Sequence, residues 1–211
     1  MRGPEVETDT GRPWMNMWER GIEAMRHFYR LRDDMTTNDR WHLAEVIAPD
    51  GEEPFLDDGI PYEMDEPLVI RVSHEGRPLQ FCLTSFAVPV ASRSVGEAVH
   101  RVADGDVELI AATISGYGEG CVLNIVRIIR CIDETRSEYV KWRKEDHRAD
   151  LAGEYRDVTK LVLDMKKIPA DAHMFRVGGW PVAIVVSDVM RLEMIRVGCE
   201  GAVFRLIEVS K

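Results

Sequence analysis

The chain has 211 residues, 45% of them hydrophobic and 30% charged, with 27 Lys and Arg against 37 Asp and Glu for a formal net charge of -10. That length is enough to bury a substantial core in one domain, and the composition excludes a wholly disordered chain. The longest apolar stretch, Pro181 to Val186, falls far short of the roughly 20 residues that span a bilayer, and no apolar run follows the charged start Met1-Arg2-Gly3-Pro4-Glu5, so the expectation is a soluble, cytoplasmic protein with no secretory signal.

Residues 1–13 are polar, with two prolines and two glycines, and read as a flexible tail. Trp14, Met17, Trp18, Ile22, Met25 and Phe28–Tyr29 recur at about helical spacing, which predicts a short amphipathic helix within Pro13 to Arg32 that runs into a first strand near Phe28 to Leu31. Arg40 to Ile47 reads as the next strand. Pro49, Gly51, Pro54, Gly59, Pro61 and Pro67 make the following stretch a long irregular connection, of the kind that is usually functional or mobile. Leu68 to Ser73 and Leu79 to Thr84 flank Glu75-Gly76-Arg77-Pro78 and read as a hairpin, with Phe86 to Ala91 as a further strand. Ser94-Val95-Gly96-Glu97 has the form of a capping box and predicts a helix through about Ala103, ended by Asp104-Gly105-Asp106.

Val107 to Ile114 and Cys121 to Ile132 read as strands around a hairpin turn at Gly116-Tyr117-Gly118-Glu119-Gly120. The second is apolar on both faces, as a central strand covered on both sides must be, although Asn124, Arg127 and Arg130 at every third position leave a helix as the alternative. Ser137 to Trp142, Thr159 to Leu163, His173 to Val177 and Pro181 to Val186 are further strands. Ser187 is placed to cap a helix with an apolar face of Val189, Leu192 and Ile195 beside Met190, Met194 and Val197, with Gly198 at its end and a closing strand at Ala202 to Val209. Many strands with two or three separated helices predict an α+β fold, a mainly antiparallel sheet in a single domain of residues 28–211, preceded by a partly flexible extension of residues 1–27.

Reactive constellations are sparse. Cys82, Cys121, Cys131 and Cys199 lie 39, 10 and 68 residues apart among apolar neighbours, so they read as buried reduced thiols in a reducing compartment, without the spacing of a zinc site. Gly116-x-Gly118-x-Gly120 lacks the helix start that a phosphate-cradling loop requires. Glu145-Asp146-His147 offers metal-ligand types, but within a mixed-charge stretch that reads as a solvated loop. Asp171 and His173 form a pair with no recognisable nucleophile, and neither G-x-S-x-G, HExxH nor a Walker sequence occurs. Basic residues do not cluster with aromatics, so direct nucleic-acid binding is not expected. The composition and motifs alone stop at an acidic domain, more a binding module than an enzyme.

Residues 1–66 hold 17 acids and 7 bases, whereas residues 67–211 hold 20 of each. Within Glu45 to Glu66 there are nine carboxylates and no Lys or Arg. A field of one sign repels nucleic acid and anionic lipid and attracts basic surfaces; its simplest alternative is a solvated loop that aids solubility.

The carboxy-terminal half carries a family pattern. Leu123-Asn124, Ile128-Ile129-Arg130-Cys131-Ile132-Asp133-Glu134, Ser137-Glu138, Trp142 with Glu145-Asp146, Gly153-Glu154-Tyr155-Arg156, Leu161 to Asp164, His173-Met174-Phe175-Arg176, Trp180, Ile184-Val185-Val186-Ser187 and Gly198-x-x-Gly201-x-x-Phe204 together resemble the eleventh immunity-protein (Imm) family of bacterial polymorphic toxin systems, common in myxobacteria. Weaker matches upstream are Phe28-Tyr29-Arg30-Leu31, Arg40-Trp41 and Phe81-Cys82-Leu83-Thr84-x-Phe86 with Pro89-Val90, so the resemblance spans about residues 28–209 as one domain. Residues 1–27 have no counterpart, and Glu200 stands where a small polar residue is expected before Gly201.

The resemblance implies a cytoplasmic antidote, without cofactor or catalysis, that binds one cognate toxin, often a basic HNH-type nuclease. It also implies that the shared Trp41, Trp142 and Trp180 belong to the core. Combined with the charge distribution, it makes the acidic segment the expected toxin contact: Asp50, Glu52, Glu53, Asp57, Asp58, Glu63, Asp65 and Glu66 meeting the cationic cleft, with Phe55 and Tyr62 as buried anchors. Two alternatives stay open: a small hydrolase or transferase using His173 or the Glu145–His147 loop, and a regulatory domain that binds a non-toxin partner.

Overall fold

The computed structural model describes residues 26–64 and 66–210. The tail, and the helix expected from Pro13 as far as residue 25, lie outside these residues, as does Asp65; from Phe28 the chain is a strand. Of the described residues 43% are in strands and 14% in helices. The chain is therefore predominantly β, and the expected α+β class is corrected: fourteen strands form three sheets, with two α-helices among the described residues.

The strands are β1 (Phe28–Asp33), β2 (His42–Ile47), β3 (Leu68–His74), β4 (Phe81–Leu83), β5 (Pro89–Ala91), β6 (Val107–Ile114), β7 (Gly118–Ile125), β8 (Ile128–Ile129), β9 (Glu138–Lys141), β10 (Tyr155–Lys160), β11 (Val162–Asp164), β12 (Met174–Val177), β13 (Trp180–Ser187) and β14 (Ala202–Ser210). The helices are α1 (Arg93–Ala103) and α2 (Asp188–Arg196). One six-stranded sheet runs β11-β14-β1-β13-β12-β8 and the other β2-β3-β6-β7-β5-β4, while β9 and β10 pair separately. Three pairings are parallel (β11 with β14, β8 with β12 and β3 with β6), so neither large sheet is the simple antiparallel meander that short connections favour.

Alternation along the central strands explains the layering, because successive side chains point to opposite faces. Cys121, Leu123 and Ile125 of β7 and Ile184 and Val186 of β13 face a shared core that α1 and α2 close with Val95, Val99, Met190 and Met194. Val122 points the other way, into a second core with Trp41, Leu68 and Ile70. Ala183 and Val185 point into a third, with Phe28, Phe175 and Trp180. β7 is thus covered on both sides, and the helical alternative for residues 121–132 falls away; the run instead breaks into β7 and β8.

Several local expectations need correction. β3 and β4 are not a hairpin: β3 pairs with β2 and β6, and β4 with β5 at the far side of the sheet. The intervening Gly76–Arg77 instead lies against Arg40, where Arg77 N donates to Asp39 O at 2.6 Å. The Ser94–Glu97 capping box does not form; Ser92 is the N-cap, Ser94 lies inside α1, and Glu97 pairs with Arg93. α2 does start on a Ser187 side-chain cap from Met190 N and ends at Gly198 with φ +72°. Only its Met190–Met194 side is buried, because Val189, Leu192 and Ile195 project on a different face and stay about half exposed. Trp41 and Trp180 are core, but Trp142 is half-buried, flanked by Arg156 over its ring and by the edge of His147.

The two large sheets are joined at Asp106, 2% exposed at the start of β6. Its carboxylate accepts from His173 N at 2.7 Å and Met174 N at 3.1 Å, and from Arg127 Nη1 at 2.8 Å. It therefore ties the start of β12 to the exit of β7 by charge-assisted bonds. Removing this carboxylate leaves two amides without their acceptor and takes from the half-buried Arg127 the more buried of its two carboxylate partners, Asp106 rather than Asp171. Asp106→Ala is expected to lower unfolding free energy by about 3–5 kcal/mol in urea denaturation; a loss below about 1 kcal/mol would contradict this role.

Candidate functional site

Residues 48–64, 66 and 67 form neither helix nor strand, yet the segment is fixed at several points. Ala48 N donates to Glu52 O and Gly51 N to Ala48 O, closing a turn that Asp50 reinforces by accepting from Glu52 N. Leu56, 2% exposed, plugs the second core. Asn124 Nδ2 donates to Ile60 O at 3.0 Å, and Glu108 Oε2 accepts from Tyr62 N at 2.8 Å. Arg176 Nη2 donates to Leu56 O at 3.3 Å. Gly59 rests directly on β8: a Cβ there would stand 2.9 Å from the Ile128 side chain and 3.0 Å from Val126 O, at a φ of +80°. The segment is thus a strap across the junction of the two sheets.

The strap keeps its charges outward. Asp50, Glu52, Glu53, Asp58, Glu63 and Glu66 are exposed and Asp57 is half-buried; Asp65 lies outside the described residues. Among the described residues only Glu45 of this segment forms an ion pair, with Arg71 at 2.8 Å. The other carboxylates remain unneutralised, so a concentrated negative field faces solvent. Burial, reinforced by the charges of Asp50 and Glu66, pushes the Tyr62 phenol above its ordinary value. The two expected anchors differ: Phe55 is 84% exposed, whereas Tyr62 is half-buried and packs on the second core.

The residues of the enzymatic alternative have structural duties. His173 Nδ1 lies 2.9 Å from Ser187 Oγ, a contact that sequence reasoning missed. Ser187 is 1% exposed and its oxygen caps α2, which leaves no approach for a substrate. Asp171 does not orient His173; it grips Arg127 through both oxygens. Asp146 accepts from Arg143 N, and no group of three or more His, Cys, Asp or Glu able to hold a metal occurs among the described residues. Burial pushes the thiols of Cys82, Cys131 and Cys199 up to about 12 and that of Cys121 to about 11, far from the thiolate a nucleophile needs.

A separate cleft of about 520 Å³ is lined among others by Arg130, Glu134, Lys141, Tyr155 and Lys167. Its charges satisfy each other. Glu134 accepts from Lys141 at 2.6 Å, from Tyr155 at 2.5 Å and from Tyr139 at 3.2 Å. Arg130 pairs with Glu154 through both nitrogens. The Lys141 and Tyr155 bonds hold the Glu134 carboxyl down at about 2.

Residues 106–209 match the model of the immunity protein family Imm11. No curated protein matches the chain. The match leaves the upstream resemblances, and the whole acidic strap, outside it. Inside it lie Glu108, Asn124, Ile128 and Arg176, the residues that hold the strap in place. No helix among the described residues is long and apolar enough to cross a membrane.

Two outcomes are expected of this region. Because Glu134 titrates lower in the folded chain than the ordinary 4.5, its ionised form adds stability above 4.5 that is lost as pH falls through about 2. Acid unfolding over that interval should therefore be shallower in Glu134→Gln; identical pH profiles would contradict the pairing. Gly59→Ala should cost at least about 1 kcal/mol in thermal unfolding, since alanine is strained at positive φ and meets Ile128 and Val126; a neutral substitution would mean that the strap is not seated on β8. Immunity proteins are in general non-enzymatic, and such a family implies a cognate toxin as partner: over residues 106–209, just under half of its length, this chain is similar to the Imm11 immunity protein family.

Proposed function

We propose that the chain neutralises its toxin in the cytoplasm by laying the acidic strap of residues 45–66 over a cationic surface of that toxin, without chemistry of its own. A surface that grips phosphates is cationic, so a nuclease is the toxin class this face suits, and the strap acts there in place of the anionic substrate. The single observation that carries the reading is the one-sided field: nine carboxylates without a Lys or Arg between Glu45 and Glu66, six of them exposed on a strap that the family-matched residues fasten. A loop serving only solubility has no need of a seat on two sheets or a buried leucine plug.

Steering by complementary fields raises association rates towards about 10⁸–10⁹ M⁻¹s⁻¹ at low salt, and the gain disappears as salt screens it. Asp58 and Glu53 are the clean positions for a test, because Asp57 is half-buried and its charge acts on the buried Arg176. Co-expression with the toxin encoded beside this chain should restore growth. The purified pair should associate one to one, with Asp58→Lys and Glu53→Lys together slowing association about tenfold or more at low salt. Unchanged association rates across salt and charge reversal would contradict the acidic strap as the contact.

A further inference from the structure

The two most exposed large apolar side chains among the described residues are Phe55, at 84%, and Phe86, at 66%. They come from separate segments, yet one guanidinium holds both. Arg176 Nη2 donates to Leu56 O at 3.3 Å and to Ala87 O at 3.4 Å, in each case the carbonyl of the residue that follows the phenylalanine. Its Nη1 donates to Pro181 O at 2.7 Å.

Arg176 is an unusual choice for this position. It is 0% exposed in a strand whose other members are Met174, Phe175 and Val177. Among the described residues it makes no ion pair, and its buried Nε has no hydrogen-bond partner. A cation held only by carbonyls carries a desolvation penalty that an apolar residue would avoid. What arginine adds is a planar head whose Nη1 is anchored on Pro181 O while its Nη2 reaches the Leu56 and Ala87 carbonyls together. Burial lowers its pKa to about 10, with the Asp57 charge opposing, so it remains a cation at neutral pH.

The second clamped segment is itself stiff. Ala87 sits at φ +57°, a conformation that a residue other than glycine rarely adopts, and the turn is closed by Ala87 N to Thr84 O and by Val88 N to Thr84 Oγ1. Strain of this kind persists where the surroundings enforce it, and it gathers at functional positions. Here it holds an aromatic ring out in water beside the strap. Exposed aromatic rings on fixed backbone are what dominate binding when a partner covers them, because little conformational freedom remains to be lost.

We infer that Phe55 and Phe86 are paired anchors of one docking face, that its occupant is a protein surface with an apolar crevice inside a cationic rim, and that Arg176 is the positioning residue that sets the spacing of the two rings. The cationic rim follows from charge complementarity with Asp50, Glu52, Glu53, Asp57 and Asp58, and to that extent the inference rests on the acidic strap as the toxin contact. It extends that contact to the turn of residues 84–88, which carries no acidic residue and which the charge pattern does not single out.

The test uses the full chain and, as probe, the toxin encoded beside it with its own activity inactivated. Phe55→Ala and Phe86→Ala should each speed dissociation about tenfold or more and leave association nearly unchanged. Charge reversals at Glu53 and Asp58 should do the opposite. Arg176→Lys replaces the fork by a single ammonium, and it should abolish the coupling between Phe55 and Phe86 in a double-mutant cycle, a readout that lowered stability alone does not move. Should Arg176→Lys fail to fold, Phe86→Ala decides, since that ring is largely exposed. Dissociation unaffected by Phe86→Ala, with charge reversal still slowing association, overturns the paired anchors and leaves the strap reading intact. Charge reversal without effect overturns the cationic occupant and this inference with it. An inactivated toxin that does not bind the unaltered chain overturns both.

Discussion

The buried carboxylate of Asp106 is the constraint on which the architecture turns. Each large sheet has its own outer core, and both share a central one with the two helices. Beside the strap the sheets are joined by one acid that accepts two amides at the start of β12 and the arginine between β7 and β8, while Phe81 N to Glu200 O at 2.9 Å and the Arg101–Glu193 pair join the two halves elsewhere. Apolar packing alone is non-directional and would tolerate sliding between faces. A carboxylate whose lone pairs are committed to amides of residues 173 and 174 does not, so the register of β12 against β6 is set there. The position of Arg176, two residues beyond Met174, follows from that register.

The strap depends on the same junction. Its fastenings are divided between the sheets: Glu108 and Asn124 on one, Ile128 and Arg176 on the other. All four lie within residues 106–209, whereas every exposed carboxylate of the strap lies outside. This division gives physical content to the separation between scaffold and specificity. One part of the chain supplies a rigid seat and buried donors. Another supplies charge and exposed rings whose identity the seat does not dictate, since backbone carbonyls and one buried leucine make most of the contacts.

Much of the strand content was legible because these strands are buried on both faces or alternate cleanly. Cys121 to Ile132 reads as a central strand from its apolar continuity, with a helix as the alternative, and Pro181 to Val186 reads as a strand. The Ser187 cap, the end of α2 at Gly198 and the Gly116–Gly120 turn each have a local chemical cause, so they too were readable. The pairing of β3 was not. Its partner β6 lies beyond a helix, and Glu75 to Pro78 has the composition of a hairpin turn while its backbone bonds go to Asp39 and Arg40. The fold class failed for a related reason: a few capped helices weigh heavily in a sequence, while short strands such as β4, β5 and β8 carry little signal. Of the site, the charge was visible and its seat was not. Asp106 and Arg176 act on residues far away in sequence, and the one available signal for Arg176 is a lone cation within an otherwise apolar strand. Phe86 reads as part of a strand in the sequence, whereas it stands on the turn that precedes β5.

Inhibition as proposed works through occupation of one face by a cationic protein. Hydrogen exchange of the amides, with and without the inactivated toxin encoded beside this chain, tests it most directly. New protection is expected at residues 50–64 and 84–88 on binding, with the cleft around Glu134 and Lys141 unchanged. Protection confined to that cleft, with the strap exchanging as freely in the complex as in the free chain, would contradict it.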